Sequence, residues 1–485
     1  MLRCIQDSMS LRQLFGPSTD PWGTLHSNRI DSDTSPSIQT VSYLSVKYDI
    51  TQESGSGISS TALTLSFAIL TPSLIQFINE VLLPHTNLTF ILPPDIREEV
   101  LTYLDDNIVE YVIQDTNLKR TLQRMEDVNI KTKKMWREKK KENEDELPNY
   151  FMTYEEIMTW IETTVNRHSN LASLKIIGKT YHQRRIMAVQ IRSDSDMAND
   201  AIGIFINAGL DPRNWLAPAS SLYLIQQILM EARLRDCIRW TIIPVSNPDG
   251  YVYTMDQDRL WSKNRQPYGD CHGTDLTKNW GHLYGFQASR QEVCHRLHRG
   301  PEAFSELEMR ALRDAILADP YLDAYVNVQG TPGAWMQPWS GKTFLKTEDY
   351  EDLIDVSISV TSAINIDDDV RLVNGTPPDL RRPASGSAMD WVKEHTNIKY
   401  AYTMCLVHAR DVSPVTFLQP PSEIVENGRW LVTAMDAMAT SIRHFRDTNE
   451  WQHVTWGGMP KGYKPTNVLH KMKDDEEWKD NRIEL

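Results

Sequence analysis

A short polar stretch directly after an apolar run carries the first side chains that could do chemistry. The stretch is NAGLDPRNWLAP, residues 207–218, and the run before it is AIGIFI, residues 201–206. Gly209 allows the chain to turn, and Asp211 and Asn214 follow three residues apart. A carboxylate such as Asp211 can bind zinc or an oxygen-preferring ion such as calcium, whereas the neutral amide of Asn214 is a weak donor for zinc. The stretch therefore raises the question of a metal site after a buried strand.

A thiol and an imidazole near the end of another predicted strand are candidates for a different chemistry. The strand YAYTMCLV, residues 400–407, contains Cys405, and His408 follows it. His408 can accept a proton, but a lone base accelerates a reaction only about 10²–10⁴-fold. Side chains three positions apart on a strand point to opposite faces, so a Cys–His dyad needs a bend in the chain there. Together with Asp211, these residues are the candidates for a hydrolase with a rebuilt site.

Composition excludes several classes of function. The chain has 485 residues, 40% of them hydrophobic, a net charge of −14 and a pI near 5.4. This length and apolar content predict roughly two to three domains with a sizeable core. Nucleic acids and anionic membranes need a basic surface, so neither is an expected partner of this acidic chain. No apolar run is long enough for a transmembrane helix, and we expect no membrane span.

The sequence carries mixed signals for export. The N-terminal residues MLRCIQDSMSLRQLFG contain no apolar signal-peptide core, so the chain as it stands is not predicted to be exported. Asn87 and Asn374 begin Asn-x-Thr sequons, which are candidate glycosylation sites of a secreted protein. The five cysteines include no CxxC, and their odd number fits neither a complete disulfide framework nor a zinc ribbon. Cys271 and Cys294 have loop-like flanks, which suits a bridge that closes one loop.

The first third of the chain divides into a tail, a small domain and a connector. Residues 1–39 are rich in Ser, Asp, Thr and Pro, which predicts disorder. Residues 40–130 alternate strand-like and helix-like patterns, including a helix over 96–104, and predict a small α/β domain. The charged segment 131–148 predicts a solvated helix or linker between two domains, open to trypsin-like cleavage.

Residues 149–447 predict a large α/β domain with a mixed or parallel sheet covered on both faces. Short apolar runs indicate buried strands, and helical patterns lie between them. The strands are predicted at 240–245, 324–328 and 400–407, and the helices at 217–234 and 305–317. The polar residues 448–485 predict a disordered tail.

This large domain resembles the zinc carboxypeptidase A/B family in a series of colinear motifs. They lie at 154–160, 244–251 (PVSNPDGY), 259–265, 271–276, 304–308, 384–391 and 410–420. The resemblance implies an α/β/α sandwich with a central mixed eight-stranded sheet, and a disulfide between Cys271 and Cys294. It implies an enzyme that removes C-terminal residues from peptides, with zinc held by His, Glu and His and with a Glu as general base. Residues 40–130 and the connector are similar to the family's propeptide and activation segment.

The metal and base positions that the resemblance implies are all substituted. The first His falls on Asp211, the Glu on Asn214 and the second His on Gln329. One carboxylate and two amides are a poor ligand set for zinc, so we expect neither the family's zinc nor another cofactor. The catalytic Glu falls on His408 or on Cys405, depending on which flanking motif anchors the alignment, and neither position holds a Glu.

The positions that would hold a peptide substrate are changed as well. Ser262 replaces the Arg that polarises the scissile carbonyl. Thr277 and Lys278 replace the Asn-Arg pair that binds the substrate's terminal carboxylate, and Lys278 keeps the charge but loses the bidentate fork. The remaining substitutions are Arg382 for a mobile Tyr, Met389 at the pocket floor and Thr331 for a second pocket Tyr.

The framework around these positions is retained, which favours a fold kept for a non-catalytic use. The retained residues are Arg213, Trp215, Asn247, Pro248, Asp249, Gly250, Tyr251, Asp390, Trp391, Arg410 and Asp411. The segments 260–266 and 399–402 are similar to the inactive metallocarboxypeptidases of fungi, a resemblance that implies a pseudoenzyme with a role in cell-wall organisation, secreted or vacuolar.

Two other hypotheses stay open at this point. One is a residual or altered hydrolase that acts on peptide C-termini. The other is a module that binds peptides or proteins with free C-termini, with Lys278 and Arg382 contacting the carboxylate. The sequence does not indicate an oligomeric state.

Overall fold

The structure, a computed structural model, covers most of the large domain and parts of the region before it. It describes residues 42–47, 76–79, 87–92, 94–106, 111–139, 147–193, 201–286, 289–330, 333–341, 345–366, 371–380, 383–406 and 417–448. Residues Ile38–Leu485 form one compact unit, and the other unit, Met1–Ser37, lies outside the described residues. The predicted N-terminal tail 1–39 also lies outside them. Of the predicted tail 448–485, Thr448 is the last residue of a helix, and the rest lies outside the described residues.

A small antiparallel sheet and two helices precede the large domain. The sheet has the strand order β2-β3-β1-β4. Its elements are β1 Ser42–Lys47, β2 Gln76–Asn79, β3 Asn87–Leu92, α1 Pro94–Asp106, β4 Tyr111–Asp115 and α2 Leu118–Lys139. Helix α1 begins at Pro94, because the fixed φ of proline suits the first turn of a helix and its missing N–H would have no partner there. The charged connector is helical over residues 131–139, where it forms the last part of α2.

The large domain is built on a mixed eight-stranded sheet of order β13-β12-β14-β11-β7-β8-β6-β5. The sheet strands are β5 Ala172–Lys179, β6 Arg185–Ile191, β7 Ile202–Ala208, β8 Ile238–Ile243, β11 Ala324–Gln329, β12 Ala334–Met336, β13 Val373–Gly375 and β14 Tyr400–Cys405, with a separate hairpin of β9 Pro267–Tyr268 and β10 Cys271–His272. Strands β14, β11, β7 and β8 are parallel, whereas β12, β6 and β5 run antiparallel to a neighbour.

Helices cover both faces of this sheet. They are α3 Tyr154–Arg167, α4 Leu216–Met230, α5 Pro248–Asp256, α6 Leu307–Leu317, α7 Tyr350–Ile364, α8 Ala388–His395 and α9 Glu423–Thr448. One apolar cluster joins α3, α4, α7 and α9 to one face, and a second joins α6 and α8 to the other. Along β7, Ile204 and Ile206 contribute to the first cluster and Phe205 to the second. This is the α/β/α sandwich with a mixed eight-stranded sheet that the resemblance predicted. None of the helices that the structure describes has the length and apolar content needed to span a membrane.

The observed elements differ from the predicted ones mainly at their ends. The strand predicted at 240–245 is Ile238–Ile243, because Pro244 has no N–H to donate to a neighbouring strand. The helix predicted at 217–234 ends at Met230, and Glu231 is extended before a short 3₁₀ turn at Ala232–Leu234.

The carboxyl ends of the parallel strands meet at one edge of the sheet, which is where ligands bind in open α/β folds. Asn207, Asn327 and Thr403 lie side by side on β7, β11 and β14 just before this edge, and all three are buried. The hydroxyl of Tyr325 donates to Asn207 Oδ1 at 2.5 Å, and Asn207 Nδ2 donates to Asn327 Oδ1 at 3.2 Å. These bonds fix the strand ends from which the candidate site residues follow.

Candidate functional site

Asp211 lies in the turn after β7, and its carboxylate is occupied by Arg213. Gly209 begins the turn with a φ of +71°, a conformation that favours glycine, and Pro218 of α4 packs against it. Asp211 Oδ1 accepts hydrogen bonds from the Arg213 backbone N–H and Nε, both at 3.0 Å. Asp211 Oδ2 accepts from Arg213 Nη2 at 2.7 Å. The carboxylate that could have bound a metal therefore forms a bidentate ion pair within its own loop.

Asn214 and Gln329 bring two amides to the same edge of the sheet. Asn214 Oδ1 lies against Gly330, where an added Cβ would be only 2.3 Å away. Gly330 is thus required for this close approach of the turn after β7 to the end of β11. Gln329 is the last residue of β11, half-buried and opposite Cys405 of β14 in the sheet register.

These residues do not fit a zinc ion. Catalytic zinc sites use three ligands drawn from His, Cys, Asp and Glu, and amide oxygens are weak ligands for this metal. Here Asn214 and Gln329 supply only neutral amides, and the one carboxylate, Asp211, has both oxygens bonded to Arg213. Throughout the part of the chain that the structure describes, no three His, Cys, Asp or Glu side chains are grouped to hold a metal.

The segment Asn247–Tyr251 forms the N-terminus of α5 and supports the turn after β7. The side chain of Asn247 caps the helix by accepting from the Gly250 N–H at 3.0 Å, and its Nδ2 donates to the Leu210 carbonyl at 3.2 Å. Pro248 occupies the first helical position. A Cβ at Gly250 would lie 2.5 Å from the Lys263 carbonyl, so only glycine fits there.

Asp249 joins α5 to the turn between β5 and β6. Its buried carboxylate accepts from Thr180 Oγ1 and Arg184 Nη1, both at 2.8 Å, and from the His182 N–H at 3.0 Å. His182 Nδ1 lies 3.1 Å from the same carboxylate. Asp249 therefore has a structural role that does not require a ligand in the cleft.

Trp215 stacks with a half-buried arginine, Arg259, on the other side of the turn. Trp215 Nε1 donates to Thr254 Oγ1 at 2.9 Å, and the Arg259 guanidinium lies 3.7 Å from the centre of the Trp215 ring. Arg259 donates to the Arg213 carbonyl at 2.8 Å and to the Phe417 carbonyl at 2.9 Å. Burial lowers the pKa of Arg259 to about 9, which still leaves it protonated at neutral pH. The Tyr251 hydroxyl donates to the Met152 carbonyl at 2.7 Å.

Three positions that the resemblance assigns to the substrate, Ser262, Thr277 and Lys278, are half-buried or buried and make local contacts. Ser262 Oγ donates to the Arg296 carbonyl at 3.4 Å. Thr277 Oγ1 donates to Asp275 at 2.6 Å, and Lys278 follows it in the short turn Leu276–Lys278. Burial raises the pKa of Asp275, and the charge of Lys278 and the bonds from Thr277 offset this only in part. Lys278 is therefore a cation beside a buried carboxyl group.

Three buried residues of α8 are Met389, Asp390 and Trp391. Met389 is 1% exposed and lies in the second apolar cluster with Trp280 and Trp391. Asp390 accepts from the Ser340 N–H at 2.9 Å and from Ser340 Oγ at 3.0 Å, and burial raises its pKa to about 7. Asp390 therefore joins α8 to the segment that follows β12.

Cys405, at one of the two candidate base positions, is buried at the end of β14. It is 5% exposed, in an apolar cluster with Ala334 and Met336. Such surroundings suit a structural thiol more than a reactive one. The other predicted positions, Thr331, Arg382, His408, Arg410 and Asp411, lie outside the described residues.

The disulfide and the sequons have defined positions. Cys271 and Cys294 form a disulfide, as the resemblance implied, and close a loop next to the former substrate positions. Asn87 begins β3. Asn374 lies in β13, where its Nδ2 donates to Thr361 Oγ1 at 3.0 Å, and the sequon residue Thr376 donates its hydroxyl to Asp379 at 2.7 Å. In the folded chain the amide nitrogen that would carry a glycan is thus engaged.

Sequence reasoning missed two buried polar groups near the site. One is the Asp211–Arg213 pair, because the motif comparison treated Arg213 as framework alone. The other is a pair of buried carboxyl groups at the start of α6, the N-cap Glu306 and Glu308 of the first turn, to which Asn264 Nδ2 donates at 2.7 and 3.1 Å. The signal that could have found them is the presence of charged residues beside large apolar ones, such as Glu306 and Glu308 on either side of Leu307.

The fold and these motifs define the class of protein. The family profile described as zinc carboxypeptidase matches residues 157–433, and the chain belongs to this family. A Carboxypeptidase B of Astacus astacus is 30% identical over 60% of this chain and 96% of its own length. A Zinc carboxypeptidase A 1 of Drosophila melanogaster is 27% identical, over 76% of this chain and 86% of its own.

Other comparisons add an inactive relative and solved folds. A protein named Inactive metallocarboxypeptidase ecm14, from Talaromyces stipitatus, is 26% identical over 66% of this chain and 58% of its own length. The crystal structure of a carboxypeptidase A from Helicoverpa armigera superposes with a TM-score of 0.72, at 22% identity, and covers 83% of this chain and 98% of that one. That of thrombin activatable fibrinolysis inhibitor superposes with a TM-score of 0.71, at 21% identity over the same shares of the two chains.

Proposed function

We propose that this chain is a non-catalytic member of the zinc carboxypeptidase family that binds peptide or protein C-termini without hydrolysing them. The observation that carries the proposal is the bidentate pairing of Asp211 with Arg213. Asp211 is the one carboxylate among the three substituted metal positions, and both of its oxygens are bonded to Arg213. The remaining candidate ligands are the amides of Asn214 and Gln329, and neutral amides bind zinc too weakly to retain it.

The positions of the carbonyl-polarising Arg and of the general base are also substituted. Peptide hydrolysis in this family's manner needs a metal to polarise the carbonyl and to lower the pKa of water. Ser262, at the position of the polarising Arg, donates its hydroxyl to a backbone carbonyl. Cys405, at one candidate base position, is buried among apolar side chains. A proton acceptor at His408 would supply only about 10²–10⁴-fold, far below what peptide hydrolysis requires.

The relatives support both this proposal and its alternative. The Talaromyces stipitatus relative is named inactive, which favours a pseudoenzyme. The Astacus astacus and Drosophila melanogaster relatives are named carboxypeptidases, which keeps a residual or altered carboxypeptidase activity as the alternative. The role in cell-wall organisation and the secreted or vacuolar location stay predictions from the fungal resemblance.

The binding half of the proposal rests on Lys278. Lys278 is a half-buried cation in the turn that replaces the family's carboxylate-binding pair. Its backbone is held in place because the carbonyl of Lys278 packs against Gly386, where an added Cβ would lie only 2.3 Å away. A single ammonium in a fixed position can bind a carboxylate as a point charge, without the specificity of a bidentate fork.

The test combines hydrolysis with binding. Purified protein is incubated with benzoyl-glycyl-phenylalanine with and without added zinc, and binding of this peptide and of its C-terminal amide is measured by calorimetry. We expect no release of phenylalanine, binding of the acid, and at least about 10-fold weaker binding of the amide and of the Lys278→Met variant. Lys175→Ala, an exposed lysine on β5, is the matched control and should bind as the wild type does. Zinc-dependent turnover would establish the alternative, and equal binding of acid and amide would exclude a carboxylate site.

A further inference from the structure

A basic segment, defined as residues 290–299, lies beside the turn that carries Lys278. It holds three Arg, two His and one Glu, in a chain whose net charge is −14. The wider range 259–300 holds seven Lys or Arg against three Asp or Glu. An excess of positive charge in one region of an acidic protein attracts anionic ligands to that region and not to the rest of the surface. The basic segment is therefore a candidate for ligand binding.

Two hydrogen bonds fix the Lys278 turn against the basic segment. Just before the turn, the Asp275 N–H donates to the His298 carbonyl at 2.7 Å. Just after the turn, Asn279 Nδ2 donates to the Arg299 carbonyl at 2.6 Å. The turn cannot move away from the basic segment without losing both bonds. Lys278 and Arg299 are thus held on neighbouring stretches of backbone.

The basic segment folds back on itself and also contacts Ser262. The Arg290 N–H donates to the Leu297 carbonyl at 2.9 Å, and the Arg299 N–H donates to the Arg290 carbonyl at 3.0 Å. The carbonyl of Arg296 accepts from Ser262 Oγ at 3.4 Å. The segment therefore also borders the position that the resemblance assigns to the carbonyl-polarising Arg. Arg290 is exposed, and Arg296 and Arg299 are half-buried.

The side chain of Arg299 lies between an aromatic ring and a glycine. Its guanidinium carbon is 5.5 Å from the centre of the Tyr284 ring, and the Tyr284 hydroxyl donates to the Gly300 carbonyl at 2.6 Å. A Cβ added to Gly285 would lie 3.0 Å from Arg299 Nε. The ring and the glycine limit the positions open to the guanidinium, which lowers the entropy cost of binding. A guanidinium can bind a carboxylate through two parallel hydrogen bonds, as a single ammonium cannot.

We propose that the cleft selects C-terminal peptide segments that carry Asp or Glu side chains upstream of the terminal carboxylate. Lys278 binds the terminal carboxylate, and Arg290 and Arg299 of the basic segment bind the acidic side chains. This assignment rests on the proposed binding function and adds the chemical class of the ligand to it. The two arginines supply the specificity that a lone ammonium lacks. The negative charge on the rest of the chain keeps acidic peptides away from other surfaces.

The experiment compares three N-acetylated tetrapeptides by calorimetry with the full chain. Each ends in alanine and then phenylalanine with a free carboxylate, and its first two residues are both alanine, both glutamate or both lysine. We expect the glutamate peptide to bind about 10-fold more tightly than the alanine peptide, and the lysine peptide more weakly than both. The advantage of the glutamate peptide should fall severalfold in about 1 M NaCl, because salt screens partly exposed charge pairs.

The outcomes separate this inference from the proposed function. The alanine peptide reports on the proposed function, since its acid should bind and its C-terminal amide should bind much more weakly. Equal affinities of the alanine and glutamate peptides would overturn the inference and leave the proposed function standing. Failure of every peptide to bind would remove the proposed function, and this inference with it.

Variants of the basic segment locate the contact. Arg299→Gln should reduce the advantage of the glutamate peptide over the alanine peptide by about 5-fold, and the double variant Arg290→Gln, Arg299→Gln should abolish it. Arg299→Lys, which keeps the charge but not the bidentate fork, should retain part of it. Arg310→Gln is the matched control, because Arg310 is an exposed arginine on α6 and its loss changes the net charge by the same amount. Equal effects of Arg299→Gln and Arg310→Gln would mean that overall charge alone sets the preference, which would contradict the proposal.

Discussion

The Arg213 guanidinium binds both carboxylate oxygens of Asp211, with Nε at 3.0 Å and Nη2 at 2.7 Å. The two side chains are only 14% and 18% exposed. Burial works to lower the pKa of Arg213, but the charges of Asp211, Asp275 and Asp258 together raise it above its usual value. Arg213 is thus permanently charged, and Asp211 is its closest anion. The turn that would carry two zinc ligands instead carries an internal ion pair.

Asp211→Asn should destabilise the fold, because it leaves Arg213 without its principal anion in a half-buried site. Removing one partner of a buried pair costs about 3–5 kcal/mol, and the neighbouring Asp275 and Asp258 offset part of it, so we expect about 2–3 kcal/mol. Urea unfolding followed by tryptophan fluorescence measures this change in the free energy of unfolding.

Asp314→Asn is the matched control for that measurement. Asp314 also pairs with an arginine, Arg313, but its side chain is 64% exposed. Exposed pairs contribute less than about 1 kcal/mol, so this variant should unfold nearly as the wild type does. Equal effects of the two substitutions would show that the Asp211–Arg213 pair contributes no more than a surface pair.

Replacing the three substituted metal positions together should create zinc binding. Asp211→His, Asn214→Glu and Gln329→His supply two imidazoles and a carboxylate at the carboxyl ends of β7 and β11, and release Arg213 from its present partner. Changing a group that only orients a metal ligand alters metal affinity about 10–100-fold, so restoring three ligands should increase zinc affinity by more than about 100-fold. Metal analysis after dialysis, and calorimetric titration with zinc, measure the gain.

Single variants are the controls for this gain. Gln329→His alone adds one ligand while the Asp211–Arg213 pair stays intact, so it should remain without stoichiometric zinc. Zinc in the unaltered chain would contradict our account of the site. Failure of the triple variant to bind zinc, with its fold intact by circular dichroism, would show that the three positions do not converge.

The strands and layers could be predicted from sequence because the hydrophobic runs coincide with the strands that the fold buries. The run 201–206 is apolar or Gly at every position, and 324–328 is apolar except at Asn327, which is typical of a parallel strand buried on both faces. The ends of the strands were less predictable. Strand β8, for example, ends before Pro244 because proline has no N–H to donate, and not because the hydrophobicity changes. The disulfide between Cys271 and Cys294 followed from the family motif.

The contacts of the site were not predictable to the same depth. The sequence identified which positions are substituted, but not that Asp211 turns back onto Arg213 two residues later. The charged segment 131–148 predicts a solvated helix or linker, and residues 131–139 are helical, but the charge pattern does not reveal that Trp136 is buried against the large domain. The first depends on the geometry of one turn, and the second on a tertiary contact between segments that share no local pattern.

Reducing the disulfide should destabilise the loop beside the former substrate positions. Cys271 and Cys294 are 23 residues apart, which corresponds to about 3 kcal/mol of loop-closure entropy. The Cys271→Ser, Cys294→Ser double variant should therefore unfold at a lower urea concentration than the wild type and lose any dependence on dithiothreitol. Cys237→Ser, at a cysteine outside the disulfide, is the control and should unfold as the wild type does with the dithiothreitol dependence intact. A double variant as stable as the wild type would show that the loop is held by its other contacts.

Glu308 should make the protein less stable as the pH rises. Burial raises the pKa of Glu308 to about 8 from an ordinary value of 4.5, and the nearby Glu306 adds to the shift. Because the folded-state pKa is the higher one, the stability it contributes is complete below about pH 4.5 and is lost as the pH rises to about 8. At 1.36 kcal/mol per pH unit, the loss between pH 5 and 7.5 is about 3 kcal/mol.

Glu308→Gln, which keeps the shape of the protonated group, should remove this loss. The Asn264 amide can still donate to the new side chain, as it does to Glu308 Oε2 at 3.1 Å. We expect the variant to exceed the wild type in stability at pH 8 and to match it near pH 5, in urea unfolding at a series of pH values. Glu302→Gln, at an exposed position shortly before α6, should follow the wild-type curve. A constant difference between the unfolding free energies of the wild type and Glu308→Gln at all pH values would contradict this account. It would mean that Glu308 is ionised in the folded protein over the whole range, because a group with a raised pKa makes the difference change with pH.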